Sequence, residues 1–261
     1  MTPSIPQRFT GKIVLVTGAG TDFGAAIAVR AAEEGADVIV HYRSSQAGAE
    51  ETARRVKDLG RTAHLVRADV SEGAQIRRMA EEVWDRFGRL DVLVNNAGEA
   101  AREQNSWREL TEESVDYVLA VDVKGTLLAT HEFGARMLEQ QGGGAIVNIG
   151  STVVVRGSAR VPQYAAAKYG VIGVTKSYAH AFAPRVRVNT FAPGFIETES
   201  TLRREDWRNG HGDRLRQVTP LGHIPGPAEL APAALFLASA DAGHITGAFL
   251  TADGGFNMTG A

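Results

Sequence analysis

The chain of 261 residues contains no cysteine. Disulfide bonds, thiolate nucleophiles and every zinc or iron–sulfur site built on cysteine ligands are therefore excluded. An excess of charge of either sign is also lacking, because 28 Lys and Arg residues face 30 Asp and Glu residues, for a net charge of −2. Nucleic-acid-binding proteins normally carry a basic surface, so we expect no nucleic-acid partner.

Long apolar runs and a targeting segment are missing as well. No apolar run reaches the roughly 20 residues that span a bilayer, and residues 1–12 show no basic region followed by an apolar one. We therefore expect a cytoplasmic protein with no membrane contact. The seven histidines form no i,i+4 pair and no cluster with carboxylates at ligand spacing, so no metal site is predicted.

Glycine is abundant, with 29 residues, which indicates many tight turns and close approaches of the backbone. Short β-branched runs alternate with longer amphipathic segments along the chain. Runs that are apolar on both faces and separated by helices are typical of a parallel sheet covered on both sides. Right-handed crossovers then give a Rossmann-like, doubly wound α/β fold, which we predict as a single domain over 1–261.

Hydrophobic periodicity and glycine stops predict where the elements lie. Helices are expected at 25–34, 50–59, 76–87, 114–137, 163–181 and 230–237. Strands are expected at 12–17, 37–41, 63–68, 90–95, 145–150, 186–191 and 248–251. The stretch 197–220 is irregular and polar, so we expect a substrate loop over 195–220, called the lid below.

A glycine-rich turn, TGAGTDFG at 17–24, joins the first strand to the first helix. Such a turn lets the backbone approach a pyrophosphate, while the helix dipole and the N–H groups favour the anion. A purely structural strand–helix turn is an equal alternative for the motif alone. Its place on the first βα unit favours dinucleotide binding. The predicted cofactor contacts here are Gly18, Gly20, Thr21, Asp22, Phe23 and Gly24.

The spacing of this turn resembles that of the short-chain dehydrogenase/reductase family. The further motifs that match the family, in chain order, are NNAG at 95–98, the Ser…Tyr-x-x-x-Lys set of Ser151, Tyr164 and Lys168, PGFIET at 193–198, ITG at 245–247 and DGG at 253–255. The resemblance covers nearly the whole chain. Stretches such as NIGS, YAAAK and APGFIET are most similar to the β-ketoacyl reductase-like group.

The resemblance implies an oxidoreductase that uses NADP(H) to interconvert a carbonyl and a secondary alcohol of a small molecule, assembled as a homotetramer. For Asp69, a capping role at the end of a strand is a serious alternative to cofactor binding. The cofactor contacts that the resemblance implies outside the glycine turn are Asp69, Val70, Asn95, Ala97, Gly98, Tyr164, Lys168, Pro193, Gly194, Ile196 and Thr198.

Two positions depart from the family pattern. Asp22 stands where the family carries its middle glycine, and its carboxylate should repel a pyrophosphate unless the side chain turns outward or caps the helix. Asp122 stands where the family usually carries the Asn of a catalytic Asn-Ser-Tyr-Lys tetrad. We expect Asp122 to replace that Asn in the catalytic set without destroying activity, and to alter the pH optimum.

The residue types of the set suit acid–base chemistry. Tyr164 and Lys168 lie four residues apart on a predicted helix, so both project to one face. A tyrosine titrates near pH 10, and a nearby ammonium lowers that pKa by favouring the phenolate. With Ser151 holding the oxygen, the set suits protonation of a carbonyl as hydride arrives from a nicotinamide, or the reverse. A surface tyrosine beside a solvated lysine is the alternative for an isolated match.

We predict NADPH in preference to NADH as the cofactor. NAD enzymes of this fold normally place an acid at the end of the second strand. Asp37 lies at the beginning of that strand instead, and the far end reads HYRSS at 41–45. There Arg43 and Ser44 can meet a 2′-phosphate through charge-assisted hydrogen bonds. A solvated loop arginine is the alternative.

The sequence leaves the substrate open. The resemblance suggests a 3-oxoacyl thioester of fatty-acid or polyketide synthesis, carried by an acidic protein, but Arg185 is the only base near the expected rim. Trp207 in the lid either packs over the substrate or anchors the loop. The lid arginines point to an anionic substrate or to a solvated helix; they are Arg203, Arg204, Arg208, Arg214 and Arg216.

A non-catalytic protein that senses NADP is a second class of function. Regulators of that type usually lose the tyrosine or the lysine of the set. Because this chain keeps both Tyr164 and Lys168, the enzyme interpretation is favoured.

Overall fold

The computed structural model describes residues 5–100 and 104–258. Seven parallel strands form the centre of this structure. The strands are Ile13–Val16 (β1), Asp37–Tyr42 (β2), Ala63–Arg67 (β3), Val92–Asn95 (β4), Gly144–Ile149 (β5), Val186–Pro193 (β6) and Phe249–Ala252 (β7). They form one sheet in the order β3-β2-β1-β4-β5-β6-β7. This order and the parallel pairing confirm the predicted doubly wound α/β fold.

Helices connect the strands and cover the sheet. They are Asp22–Glu33 (α1), Gln46–Asp58 (α2), Gly73–Phe87 (α3), Glu112–Leu119 (α4), Thr126–Glu139 (α5), Val153–Arg156 (α6), Pro162–Phe182 (α7), Glu199–Leu202 (α8), Gly212–Val218 (α9) and Pro227–Ala238 (α10). Within the described ranges, none of them combines the length and the apolar character that crossing a membrane would require.

Each face of the sheet builds its own apolar core. On β1, Val14 and Val16 pack with α1, α2 and α10, whereas Leu15 packs with α3, α5 and α7. Successive side chains of a strand point to opposite faces, so an apolar run buries residues on both sides. Full burial of one such side chain contributes about 1.5–3 kcal/mol. The two cores together fix the positions of the strands, and the strands in turn position the loops at their ends.

The order of the strands creates a crevice. The chain runs outward from β1 to β3 and then returns to place β4 on the other side of β1. In open α/β sheets, ligands bind at this switch point, outside the carboxyl ends of the strands. The turn 17–24 follows β1 and the segment 95–98 follows β4. Two motifs that the sequence singles out therefore meet at one edge of the sheet.

The single helix predicted over 114–137 is wrong, because a π-helical turn at Ala120–Gly125 separates α4 from α5. A π turn inserts one extra residue into the helical repeat and often marks a functional site. Asp122 lies in this turn and is fully buried. Hydrophobic periodicity runs through such an insertion without a visible break, so the sequence did not reveal it.

The lid contains more regular structure than the sequence predicts, namely α8 and α9. Trp207, with only 6% of its surface exposed, packs with Leu215 and Ile224 in a small core of its own. Phe256 covers this core from the end of the chain. Of the two roles left open for Trp207, the structure shows the anchoring one.

Candidate active site

A cleft of about 530 Å³ lies at the carboxyl edge of the sheet. It brings together every predicted site residue except Gly20, Asn95 and Asp122. The predicted residues that line it are Gly18, Thr21, Asp22, Phe23, Gly24, Arg43, Ser44, Asp69, Val70, Ala97, Gly98, Ser151, Tyr164, Lys168, Pro193, Gly194, Ile196 and Thr198.

The amino terminus of α1 opens into the cleft. Thr21 stands at the N-cap in extended conformation, and its side chain makes no capping hydrogen bond. The first N–H groups of a helix have no partner within the helix, and the helix dipole makes them attractive to an anion. Thr21 and the three residues after it all line the cleft. This open helix terminus fits the pyrophosphate of a dinucleotide.

His41 is a part of the site that sequence reasoning missed. Its Nδ1 accepts a hydrogen bond from the Gly18 N–H at 3.0 Å, and its Nε2–H donates to the Ala68 carbonyl at 3.1 Å. Burial lowers the pKa of His41 to about 4, against the smaller raising effects of Ala68 and Asp69. The ring is therefore neutral at physiological pH and fixes the start of the glycine turn. The sequence feature that could have revealed this role is a histidine within the apolar run of β2.

The structure places Asn96 in the cleft, whereas the sequence assigned this position to Asn95. Asn95 is buried, and its amide donates to Thr130 Oγ1 at 3.1 Å and to Asn148 Oδ1 at 2.8 Å. Asn96 lines the cleft and donates to the carbonyls of Thr17 and Gly18. Neighbouring residues at a strand end point to opposite sides, so only one of the two asparagines faces the crevice.

Gly20 contacts α2 rather than the cleft. A Cβ at this position would lie 2.3 Å from Ser45 Oγ and 2.9 Å from the Ser45 carbonyl oxygen. The glycine is therefore required for the turn to pack against the beginning of α2. Gly20 does not line the cleft, and its predicted contact with a cofactor stays a prediction.

Asp22 has a left-handed backbone, with φ of 49°, as is usual for the glycine whose place it takes. Its Oδ2 accepts a hydrogen bond from Ser200 Oγ at 3.2 Å, and both residues line the cleft. This hydrogen bond joins the glycine turn to α8 of the lid.

Replacement of Asp22 by glycine is expected to tighten NADPH binding and to stabilise the fold. The glycine tolerates the left-handed backbone, which costs an ordinary residue roughly 1–2 kcal/mol. It also removes a negative charge that lies near the site predicted for the pyrophosphate. Fluorescence titration with NADPH and urea denaturation measure the two effects separately.

Asp22→Asn is the matched control, because it keeps the side-chain size and removes only the charge. We expect this variant to bind NADPH more tightly at low ionic strength and to show less gain at high salt. Weaker NADPH binding by both variants would contradict a repulsive role of the carboxylate.

A buried ion pair joins two residues of the predicted catalytic set. Lys168 Nζ lies 2.9 Å from Asp122 Oδ2 and donates to the Ile149 carbonyl at 3.2 Å. The Glu99 N–H donates to Asp122 Oδ1 at 2.6 Å. Asp122 Oδ2 has no hydrogen-bond partner of regular geometry among the described residues, so its contact with Lys168 is primarily ionic.

The electrostatics of Lys168 depend on this pair. Burial alone lowers the pKa of the ammonium, but the charge of Asp122 at 2.9 Å and the interaction with Tyr164 together raise it above its ordinary value. Gly98 permits the close approach, since a Cβ there would lie 3.2 Å from Asp122 Oδ1 and 3.3 Å from Lys168 Nζ. Lys168 is therefore held as a cation inside the protein.

Tyr164 lies one helical turn before Lys168 on α7. Lys168 Nζ is 5.4 Å from the centre of the Tyr164 ring, and both residues line the cleft. Ser151 follows β5 and lines the same cleft; its Oγ accepts a hydrogen bond from the Val153 N–H at 3.2 Å. The Ser151 hydroxyl proton is then available for an oxygen atom in the cleft.

Arg43 and Asp69 form the opposite end of the cleft. The Arg43 guanidinium donates to the Tyr117 hydroxyl from α4, and its Nη1 lies 3.8 Å from Asp69 Oδ2. Asp69 also accepts hydrogen bonds from the N–H and hydroxyl of Ser71, which supports the capping alternative. Partial burial raises the pKa of Asp69, but these hydrogen bonds and the Arg43 charge lower it below its ordinary value.

The carboxylate of Asp37 is far from this end. It accepts a hydrogen bond from the Thr62 N–H at 2.8 Å and pairs with Arg61 at 3.2 Å, at the amino end of β2. The carboxyl end of the strand leads to Arg43 and Ser44. The predicted position of Asp37 at the beginning of the second strand is confirmed.

The structure also shows where Arg185 lies relative to the cleft. Arg185 precedes β6, at the edge of the sheet opposite the cleft, and donates to the carbonyls of Leu138 and Gln140 at the end of α5. It is therefore not part of a rim around the cleft. Within residues 5–100 and 104–258, no group of three or more His, Asp or Glu side chains is arranged to hold a metal ion.

Comparison with known proteins finds relatives along nearly the whole chain. A family profile described as enoyl-(acyl carrier protein) reductase matches residues 18–257. A D-threitol dehydrogenase of Mycolicibacterium smegmatis is 40% identical over 253 residues, covering 96% of this chain and 95% of that protein. A 3-oxoacyl-[acyl-carrier-protein] reductase of Staphylococcus epidermidis is 36% identical over 248 residues, covering 95% and 99%.

Solved structures match over a similar length. A short-chain dehydrogenase/reductase of Serratia marcescens has a TM-score of 0.87 and 34% identity, covering 96% of this chain and 99% of that chain. A gluconate 5-dehydrogenase of Burkholderia cenocepacia, solved in complex with NADP and tartrate, has a TM-score of 0.87 and 30% identity, covering 97% and 98%.

Proposed function

The chain belongs to the short-chain dehydrogenase/reductase family and is an oxidoreductase of carbonyl and alcohol groups, and we propose that it uses NADP(H) with Tyr164 as the general acid and base. One observation carries the proposal. The ammonium of Lys168, held by the buried carboxylate of Asp122, lies beside Tyr164 in the cleft that also contains Ser151 and the open end of α1.

Each of these side chains has one task in the proposed reaction. A bound nicotinamide supplies the hydride in the reductive direction and accepts it in the oxidative one. Ser151 donates its hydroxyl proton in a hydrogen bond to the carbonyl oxygen. Tyr164 transfers its phenol proton to that oxygen and takes it back in the reverse reaction. Lys168 stabilises the negative charge that the phenol oxygen acquires.

The choice of NADP(H) is supported by the end of β2. A guanidinium has five N–H donors, so Arg43 retains donors for a 2′-phosphate while it binds Tyr117. Residues 42–45, at the end of β2, include no carboxylate of their own, since Asp37 lies at the other end of the strand. Asp69 Oδ2 lies 3.8 Å from Arg43 Nη1 and competes with a 2′-phosphate for the guanidinium. This competition limits the expected preference for NADPH over NADH. A solved relative, the gluconate 5-dehydrogenase, holds NADP.

Wild-type enzyme is expected to use NADPH at least tenfold better than NADH in kcat/KM, about 1.4 kcal/mol. Arg43→Ala should erase most of this ratio, because it removes the charge that meets the 2′-phosphate. The matched control is Arg61→Ala, which removes a guanidinium from the opposite end of β2 and should leave the ratio unchanged. Equal or better use of NADH by the wild type would overturn the role of Arg43.

The reaction itself is tested by NADPH consumption with a panel of diketones, ketoesters and hydroxyketones. Turnover of at least one of them is the expected result. Binding of NADPH without turnover of any carbonyl or alcohol would contradict the enzyme and favour a sensing protein. The homotetramer stays a prediction, which light scattering of the purified protein measures.

A further inference from the structure

The Tyr117 hydroxyl meets Arg43 across the crevice. Arg43 follows β2, whereas Tyr117 lies on α4, in the connection between β4 and β5. Because β2 and β4 flank β1 on opposite sides, the hydrogen bond from the Arg43 guanidinium to the phenol oxygen spans the crevice beyond the carboxyl end of β1. Both side chains line the cleft. The two walls of the proposed nucleotide site are therefore joined at this point.

Tyr117 is the fixed partner in this contact. Thr111 caps the amino end of α4 by accepting a hydrogen bond from the Ser114 N–H at 3.1 Å. The other end of α4 continues into the π turn that contains the buried Asp122. Arg43 instead extends a long, exposed side chain from the bend after β2, and its guanidinium carbon lies 5.6 Å from the centre of the Tyr117 ring. The ring thus limits the positions that the guanidinium can take.

The phenol retains a hydrogen-bond donor that the fold does not use. The Tyr117 oxygen accepts from Arg43, and no residue within 5–100 and 104–258 accepts the phenol proton. A hydroxyl that accepts from a cation is polarised, which strengthens the hydrogen bond that its own proton donates. A phosphate dianion offers only acceptor oxygens. Because the phenol oxygen is itself bonded to the guanidinium, a phosphate oxygen beside Arg43 Nη1 is within reach of the phenol proton as well.

A 2′-phosphate at Arg43 depends on donors besides the guanidinium. Asp69 Oδ2 lies 3.8 Å from Arg43 Nη1 and offsets part of its positive charge. The glycine turn at 17–24 contains no Lys or Arg that could add a second cation. A hydroxyl donor adds a hydrogen bond to the phosphate whether or not a carboxylate neutralises the guanidinium. Tyr117 is placed to supply that donor.

We propose that Tyr117 determines cofactor specificity together with Arg43, because its phenol proton donates to the 2′-phosphate of NADP(H) beside the Arg43 guanidinium. The inference rests on the proposed function and adds a residue to its cofactor site. NADH carries a hydroxyl in place of that phosphate. A hydrogen bond to a charged group is stronger than one between neutral groups, so the phenol proton favours NADPH over NADH.

Two nucleotides that differ only in this phosphate test the proposal without turnover. They are 2′,5′-ADP and 5′-AMP, the adenosine ends of NADPH and NADH, and both are titrated calorimetrically into the protein. Wild type is expected to bind 2′,5′-ADP more tightly. Tyr117→Phe keeps the ring beside Arg43 and loses only the hydroxyl. It should weaken 2′,5′-ADP binding about three- to tenfold and 5′-AMP binding by less than about twofold.

Kinetics with both cofactors give a second readout. In Tyr117→Phe the KM for NADPH should rise about three- to tenfold without a fall in kcat, while kcat/KM for NADH stays within about twofold of the wild-type value. Tyr169→Phe is the matched control, because it removes a hydroxyl that donates to the Val154 carbonyl outside the cleft. We expect it to bind both nucleotides as the wild type does.

The titrations also separate this proposal from the proposed function. If Arg43→Ala loses affinity for 2′,5′-ADP and Tyr117→Phe does not, the role of Tyr117 is refuted and NADP(H) remains the cofactor. Tighter 2′,5′-ADP binding by Tyr117→Phe refutes it too, because Tyr117 would then compete with the phosphate for Arg43. An equal loss for both nucleotides would show a packing role only. Equal binding of the two nucleotides by wild type would overturn the choice of NADP(H) and this inference with it.

Discussion

Tyr164→Phe is expected to lower kcat by at least roughly 10²–10⁴-fold while the fold and NADPH binding remain. The variant keeps the ring that packs beside Lys168 and loses only the hydroxyl that carries the proton. Kinetics with NADPH and the best ketone of the panel measure the loss. Fluorescence titration with NADPH shows whether the cleft is preserved.

Tyr169→Phe supplies the matched control on the same helix. Tyr169 is exposed, and its hydroxyl donates to the Val154 carbonyl outside the catalytic set. We expect this variant to keep wild-type turnover. Near-wild-type turnover by Tyr164→Phe would remove Tyr164 from the mechanism.

Asp122→Ala is expected to lower the free energy of unfolding by roughly 3–5 kcal/mol at neutral pH, because it leaves the buried Lys168 cation without its partner. Urea denaturation measures this loss. Glu51→Gln is the control, since Glu51 pairs with Arg54 on the exposed surface of α2, where solvent screening leaves an ion pair little effect on stability. An equal, small effect of both variants would contradict a structural role of the buried pair.

Asp122→Asn tests the same carboxylate through the pH dependence of the reaction. Asp122 raises the pKa of Lys168 against the lowering effect of burial, so an uncharged amide lets burial dominate. Lys168 then loses its proton at a lower pH. The positive charge that stabilises the Tyr164 phenolate is lost with that proton. We expect activity near neutrality and an alkaline limb of kcat/KM displaced to lower pH.

The pKa of Lys168 also determines the pH range in which its ion pair with Asp122 stabilises the fold. A lysine whose folded pKa is raised contributes its stabilisation below the unfolded value, near pH 10.4, and loses it as the pH rises through the folded value. The contribution is therefore complete at neutral pH, where the variants are compared. Superimposable pH profiles of wild type and Asp122→Asn would show that the charge is irrelevant to catalysis.

Local patterns in the sequence predicted most of the frame of the site. Apolar runs located the strands, the glycine turn placed the end of β1 at the cleft, and the four-residue spacing brought Tyr164 and Lys168 to one face of α7. Each of these features depends on residues that are close in the chain. A short stretch of sequence is therefore enough to predict each of them.

The features that escaped prediction depend on contacts between distant segments. The π turn exists where Asp122 meets Lys168 and the Glu99 N–H, and none of the three is near another in sequence. Likewise, the assignment of Asn95 failed because the orientation of one side chain at a strand end depends on the packing around it.

The histidine beneath the glycine turn has a consequence for acid stability through proton linkage. In the unfolded chain His41 takes up a proton below about pH 6.5, whereas in the fold it remains neutral until about pH 4. Between these values acidification favours the unfolded chain, and the folded protein loses about 3 kcal/mol from this one ring. The bond between Gly18 and His41 requires the neutral ring. The ring that holds the glycine turn thus also makes the fold less stable in acid.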